Sequence, residues 1–341
     1  MVRLAPCLPV LLLIALMAPL APHDPAAAQS PQSQPAAGVP VLADQTLTWA
    51  QQLLRESMLV GAPGNREKWQ DVLRLTTAVL QQQGLSTAQR AQALALRARA
   101  RNRLGERDGA WQDVRQALRL MPSNYDALVS RGNLQSDPEA IASYSEAIRV
   151  RSGDFLAYMN RSMARLALDQ AKTALADADW AVSLAPQVAD VYVTRAMIRG
   201  ALGDETGAVA DASRALALSP RDHEAYDVRG FARTGLGDFP AALADLDAAL
   251  RLWPDFTNAR NNRCWLNYRW GRYAAALPDC DRALALDPEF RDAYDSRGRV
   301  RLALGDVAGG CRDLRLSLQL GNPETRRDFA GPLGRTCAGV H

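Results

Sequence analysis

With 341 residues, 40 Lys and Arg against 37 Asp and Glu and a net charge of +3, the chain has no basic block, which excludes a dedicated nucleic-acid surface. Lysine occurs only at Lys68 and Lys172, so arginine interleaved with acid supplies nearly all the positive charge. Histidine catalysis is excluded by supply: past residue 28 only His223 and His341 occur, neither with a partner at a telling spacing, and His223 is expected to be an exposed helix-start residue.

The N-terminus reads as a secretory signal over residues 1–28, with Arg3, an apolar run from Leu8 to Leu20 and the small residues Ala26-Ala27-Ala28 before Gln29. That run contains Pro9 and Pro19 and is too short to span a bilayer comfortably, so no membrane span is expected after cleavage; an uncleaved anchor is the alternative. Cys7 precedes the run, the wrong side for a lipoprotein site. Export, in a bacterium to the periplasm, is the expectation. Residues 29–43 are rich in Gln, Pro and Ser and read as a flexible linker. Residues 44–90 read as a capping helical hairpin. Asp44 caps a helix carrying Leu47, Ala50, Leu54 and Met58 on one face. Asn65 caps a second carrying Trp69, Val72, Leu73, Thr76, Val79 and Leu80.

From residue 91 the chain repeats. A terminal marker falls at Pro122, Ser152, Pro186, Pro220, Pro254, Pro288 and Asn322, spaced by 30 and then by 34 residues. The units are 91–124, a short 125–154, 155–188, 189–222, 223–256, 257–290 and 291–322, with a cap or tail at 323–341. Each holds two amphipathic segments. Small residues occupy the eighth position (Ala98, Gly132, Ser162, Ala196, Gly230, Cys264, Gly298) and, allowing for the four residues missing from the short repeat, the twentieth (Ala110, Ala140, Ala174, Ala208, Ala242, Ala276, Gly310), which lets facing helices approach closely.

These columns resemble the tetratricopeptide repeat family, whose pattern places a small residue at eight, Ala at 20 and 27 and Pro at 32. The resemblance covers Ala91 to Asn322. Tyr158, Tyr192, Tyr226 and Tyr294 stand where the family has Trp at position four, Arg260 departs from it, and the short repeat implies a truncated first helix. The fold implied is all-α, a right-handed α-solenoid of about seven helix pairs with an N-terminal capping αα-hairpin and a short closing segment around Pro323 to Phe329.

Position seven is arginine throughout: Arg97, Arg131, Arg161, Arg195, Arg229, Arg263 and Arg297. Position 23 is aspartate in six repeats: Asp113, Asp177, Asp211, Asp245, Asp279 and Asp313, with Ser143 in the short one. Position seven shares a stripe with apolar positions, so its guanidinium needs an acceptor, and the aspartate column on the facing helix supplies one in a structural polar spine; an anion site is the alternative. Position 11 adds Arg101, Arg165, Arg199, Arg233 and Arg301 without an acidic column of their own. They are read either as snorkelling side chains or as a ladder for an anionic polymer.

No Gly-rich phosphate loop, zinc motif or CxxC pair appears, so the expectation is a protein that is not an enzyme and binds no metal or cofactor. In the exported chain Cys264, Cys280, Cys311 and Cys337 can pair in three ways. Neighbour pairing would staple one hairpin and fold the tail back on the last repeat; free buried thiols are the alternative.

In this family, positions two, five, nine and twelve of the first helix line the concave groove. The stripe here contains Arg99, Asn133, Met159, Met163, Val193, Met197, Phe231, Asn261, Trp265, Tyr268 and Arg299. Methionines followed by aromatics suit an extended or helical apolar segment, so the resemblance implies a partner-binding scaffold taking a protein or peptide. The family's grip on a C-terminal carboxylate, Lys at five with Asn at nine, is unmatched by Ala95 with Arg99 or Val129 with Asn133. Occupation of the groove by the chain's own N-terminus or by a second copy, and binding of an anionic envelope polymer, are the alternatives.

Overall fold

The computed structural model describes residues 43–56 and 65–339, and all regular structure among them is helical. The leader, the linker up to residue 42, Met58 and His341 lie outside the described residues. The described residues form two compact units, 43–194 and 195–339, whose boundary falls inside one helix.

The first unit opens with α1 (Ala43–Glu56) and α2 (Asn65–Leu80). Leu47, Ala50 and Leu54 of α1, and Trp69, Val72, Thr76 and Val79 of α2, are buried. Asp44 does not cap α1 as expected. It lies within the first turn, where a carboxylate suits the helix dipole, and accepts from Gln89 Nε2 at 2.9 Å. The next helix, α3 (Thr87–Leu104), starts a turn before the expected boundary at Ala91 because Ser86 and Gln89 cap each other reciprocally. Paired helices follow: α4 (Arg107–Leu120), α5 (Tyr125–Leu134), α6 (Asp137–Val150), α7 (Phe155–Ala167) and α8 (Ala171–Leu184). At 10 residues, α5 is the truncated helix that the short repeat implied. Its Gly132 is obligatory, since a Cβ there would lie 2.4 Å from the Tyr144 ring.

The boundary lies in α9 (Ala189–Ala201). The second unit continues through α10 (Glu205–Leu218), α11 (His223–Leu236), α12 (Phe239–Leu252), α13 (Thr257–Arg269), α14 (Tyr273–Leu286), α15 (Arg291–Ala303) and α16 (Val307–Gln319). It ends with α17 (Pro323–Phe329) and α18 (Pro332–Cys337). Ala208, Ala242 and Ala276 of the small-residue column are fully buried, and a Cβ on Gly298 would lie 3.0 Å from the Gly310 carbonyl. Backbone touches backbone there, so neither position tolerates bulk. Position 15, which joins the helices of each pair, requires a left-handed backbone: φ is +77° to +87° at Gly105, Gly203, Gly237, Gly271 and Gly305. Asp169 holds the same conformation at φ +59° with a side chain.

The arginine and aspartate columns meet in every repeat that has both. Nε and Nη2 of Arg97, Arg161, Arg195, Arg229, Arg263 and Arg297 donate to the two carboxylate oxygens of Asp113, Asp177, Asp211, Asp245, Asp279 and Asp313, at 2.7–2.9 Å. In the short repeat Arg131 donates to Ser143 Oγ and pairs with Glu146. The position-11 arginines do not snorkel. Nη1 of Arg101, Arg165, Arg199, Arg233 and Arg301 reaches the same aspartates at 2.7–2.8 Å, so each carboxylate is held by two guanidinium groups. One repeat solves the problem differently. It has Asn267 at position 11, and Arg260, standing where four other repeats have Tyr and two have Leu, brings the second guanidinium to Asp279 at 3.3 Å.

The third donor edge of the spine arginines ties repeats together within each unit. Arg161 Nη1 donates to Ser145 Oγ and Arg229 Nη1 to Ser213 Oγ, while Arg263 and Arg297 pair with Asp247 and Asp281, all on the preceding repeat. The rings of Tyr158, Tyr226 and Tyr294 lie 5.6–5.7 Å from the spine guanidinium three residues on.

Cys264 on α13 and Cys280 on α14 are placed for a disulfide, with Cα atoms 5.5 Å apart. Cys311 on α16 and Cys337 on α18 are likewise placed for a disulfide, with Cα atoms 5.4 Å apart, and Leu302, Phe329 and Leu333 pack around that pair. Arg299 donates to Asp295 on its own helix and to Asp328 of α17, a second clamp on the same tail.

Replacing Asp245 by Ala leaves Arg229 and Arg233 without their carboxylate and should cost ~3–5 kcal/mol, whereas Asp255→Ala removes an exposed pair with Arg282 and should cost below ~1 kcal/mol. Thermal denaturation of the two variants checks the ranking, and equal shifts would contradict a spine that holds the fold. Denatured without reductant, the protein should offer none of the four bridged cysteines to a thiol reagent; labelling of all four would show that neither bridge forms.

Candidate functional site

Helix packing leaves part of the ninth-position stripe uncovered in the second unit. Met197 and Phe231, each directly after the buried small residue of its helix (Ala196, Gly230), are half-buried and frame a cleft of about 60 Å³. Gly200, Asp227, Asn258 and Asn262 are among the other residues that line it. Trp265 continues the stripe, half-buried and stacked on Tyr268 at 5.3 Å between ring centres, with the Arg269 guanidinium 5.9 Å from its ring. Apolar walls with a few polar groups are the usual make-up of a site that orients a ligand.

Other members of the expected groove are placed differently. Met159, Val193 and Asn261, all at position five, are at most 1% exposed and offer a ligand no surface. Asn133 is half-buried and engaged: its Oδ1 accepts from Tyr144 Oη at 2.7 Å and Asn160 Nδ2 at 3.1 Å. Arg299 is committed to Asp295 and Asp328. Tyr268 packs on the cluster containing Cys264, Ala276, Cys280 and Val300, so its ring belongs partly to the core. Arg99 and Met163 are half-buried in the first unit. Each position-11 arginine donates to a spine aspartate, so it is not the group without an acidic partner that the polymer-ladder reading assumed.

Three acids and a histidine that sequence reasoning missed carry the unusual electrostatics. Asp227 is 6% exposed and its Oδ1 accepts from Asn262 Nδ2 at 2.9 Å; burial pushes its carboxyl up to about 7, against the lowering effect of that hydrogen bond. Glu205 is pushed up to about 7 by burial and then by Asp204, with Arg269 opposing. Asp292, beside the tail, rises to about 7 chiefly through burial. His223 is not the exposed helix-start residue expected. It is 6% exposed, edge-on to Trp253 and Phe256 at 5.0 and 4.9 Å, and burial lowers it to about 4. One signal for Asp227 was in the sequence: position five runs Ala95, Val129, Met159, Val193 and then turns acidic.

Among the described residues no group of His, Cys, Asp and Glu could hold a metal ion, and no helix is long and apolar enough to cross a membrane.

No protein-family model matches the chain. No curated protein matches it either. Solved structures do. A tetratricopeptide repeat protein from Parabacteroides merdae ATCC 43184 is similar over 73% of this chain and 99% of its own, at TM-score 0.58 and 19% identity. The APC/C hetero-tetramer Cut9–Hcn1 is similar over 86% of this chain and 55% of that one, at TM-score 0.67 and 17% identity. Yeast Tom70 is similar over 91% and 67%, at TM-score 0.51 and 17% identity. The helix pairs, the small-residue columns and these likenesses show that the chain has the tetratricopeptide-repeat fold. Its own variant of that fold is marked by an aspartate clasped by two arginines in six of the repeats.

Asp227 and Glu205 bind protons more tightly folded than unfolded, where carboxyl groups titrate near 4. Their contribution to stability is therefore complete below about pH 4 and is lost as pH rises through about 7. The melting temperature of a doubly neutral variant, Asp227→Asn with Glu205→Gln, should fall less between pH 5 and 8 than that of the wild type. Parallel pH profiles would contradict the burial of these charges.

Proposed function

We propose that the protein is a non-catalytic scaffold that works outside the cytoplasm and binds an extended segment of another protein on the face carrying Met197, Phe231 and Trp265. The observation that carries this reading is the cleft framed by Met197 and Phe231, an apolar surface that the repeat packing leaves unfilled. Methionine adapts to irregular partners, and aromatic side chains concentrate binding energy. A solved neighbour of this fold, Cut9, occurs in a hetero-tetramer with Hcn1, which accords with a protein ligand here. Export is supported by the signal-like leader and by two cysteine pairs at bonding distance, since disulfides persist in oxidising compartments.

A photo-reactive residue placed at Phe231, with a control at exposed Arg214, tests the site in intact cells. The expected result is an adduct to a different protein from Phe231 alone, abolished by Met197→Asp. Adducts only to the chain itself would mean that its own N-terminal segment or a second copy fills the cleft, and would overturn the reading.

A further inference from the structure

Glu205 is the first residue of α10, immediately after Asp204, whose side chain caps the helix by accepting from the Gly207 amide at 2.9 Å. Its own side chain turns back over the first helices. A Cβ on Gly200, which lines the cleft, would lie 4.0 Å from Glu205 Oε2, and one on Gly235 would lie 2.8 Å from the Glu205 carboxyl carbon. The two glycines thus make room for this carboxylate. It is 9% exposed, and neither oxygen has a hydrogen-bond partner. Buried carboxylates are ordinarily paired, because leaving one unpaired costs several kcal/mol of desolvation. Arg269 is close enough to act on Glu205 electrostatically but gives it no hydrogen bond.

Repeat packing does not explain the residue. The equivalent position holds Arg107, Ala171, Phe239, Tyr273 and Val307 in the other full-length repeats, so a glutamate there serves no common structural purpose. Glu205 does not itself line the cleft but lies behind Gly200, which does; the lining holds a second buried acid, Asp227, beside apolar walls in Met197, Val228 and Phe231. Two acids among apolar walls suit a ligand group with a cationic head and an aliphatic stem.

We propose that the cleft takes a lysine or arginine side chain from an otherwise apolar peptide segment, and that Glu205 receives its charged head. This rests on the groove-binding reading above and specifies the chemistry of the bound segment.

The test is selection of a phage-displayed random peptide library on the full-length protein, with selected peptides resynthesised and measured by fluorescence anisotropy. Wild type should enrich peptides with one basic residue flanked by aliphatic or aromatic ones. Replacing that residue by norleucine in the peptide, or Glu205 by Gln in the protein, should each weaken binding about tenfold or more. Arg269→Gln should leave binding intact or strengthen it, since it removes a competing cation. If enriched peptides bind at the cleft but show no basic preference, or norleucine binds equally, this proposal fails while the groove reading stands. If Arg269→Gln weakens binding as much as Glu205→Gln, the two residues act as an internal pair and the proposal also fails. If no peptide is enriched, or enriched peptides bind a Phe231→Asp variant equally, both readings fall.

Discussion

The structure depends on how an arginine is buried between two helices. At position seven the helix stripe faces its partner, so a guanidinium there must have its donors satisfied or the hairpin cannot close. Asp245 and its equivalents satisfy two of them bidentately, and the carboxylate is in turn saturated by a second arginine one helical turn away. That turn is why position 11 accompanies position seven: residues four apart on a helix project together and reach the same acceptor. The exchange in the Cys264 repeat makes the requirement plain. Where position 11 becomes Asn267, Arg260 arrives from the other end of the helix to complete Asp279.

This clasp has consequences beyond its own hairpin. The spine guanidinium has an edge left over, and it reaches back to Ser213, Asp247 or Asp281 on the previous repeat. One side chain therefore sets both the closure of a helix pair and its register on its neighbour. With so much arginine committed to internal aspartate, the near-neutral charge balance reflects paired groups rather than a surface prepared for a polyanion. Packing and polar satisfaction are thereby achieved between the helices, and among the described residues the repeat packing leaves the face carrying Met197 and Phe231 unfilled.

The candidate site was legible only in outline. Met197, Phe231 and Trp265 stand at a position that packing does not require, and all three are half-buried. Met159, Val193 and Asn261 were misplaced because they sit on the border of the stripe, where a neighbouring helix decides whether a side chain meets water or protein. Asp227 and Glu205 left weak traces, a polar break in an apolar column and a lone glutamate in a variable one. Their significance comes from burial, which no single-sequence pattern reports. His223 misled for the same reason: a polar residue opening a helix is usually exposed, but Trp253 and Phe256 close over this one.

What the sequence alone determined is the repeat: its period, its small-residue columns, its one short unit, and the pairing of arginine seven with aspartate 23. These follow from spacing, since a residue's place on a helix is fixed by 3.6 residues per turn. What only the tertiary structure decided is which side chains share one partner and which are covered. Three arginine positions converge on one aspartate column, and two acids are buried beside an apolar cleft. Those facts depend on distances between neighbouring helices, and periodicity along one helix does not carry them.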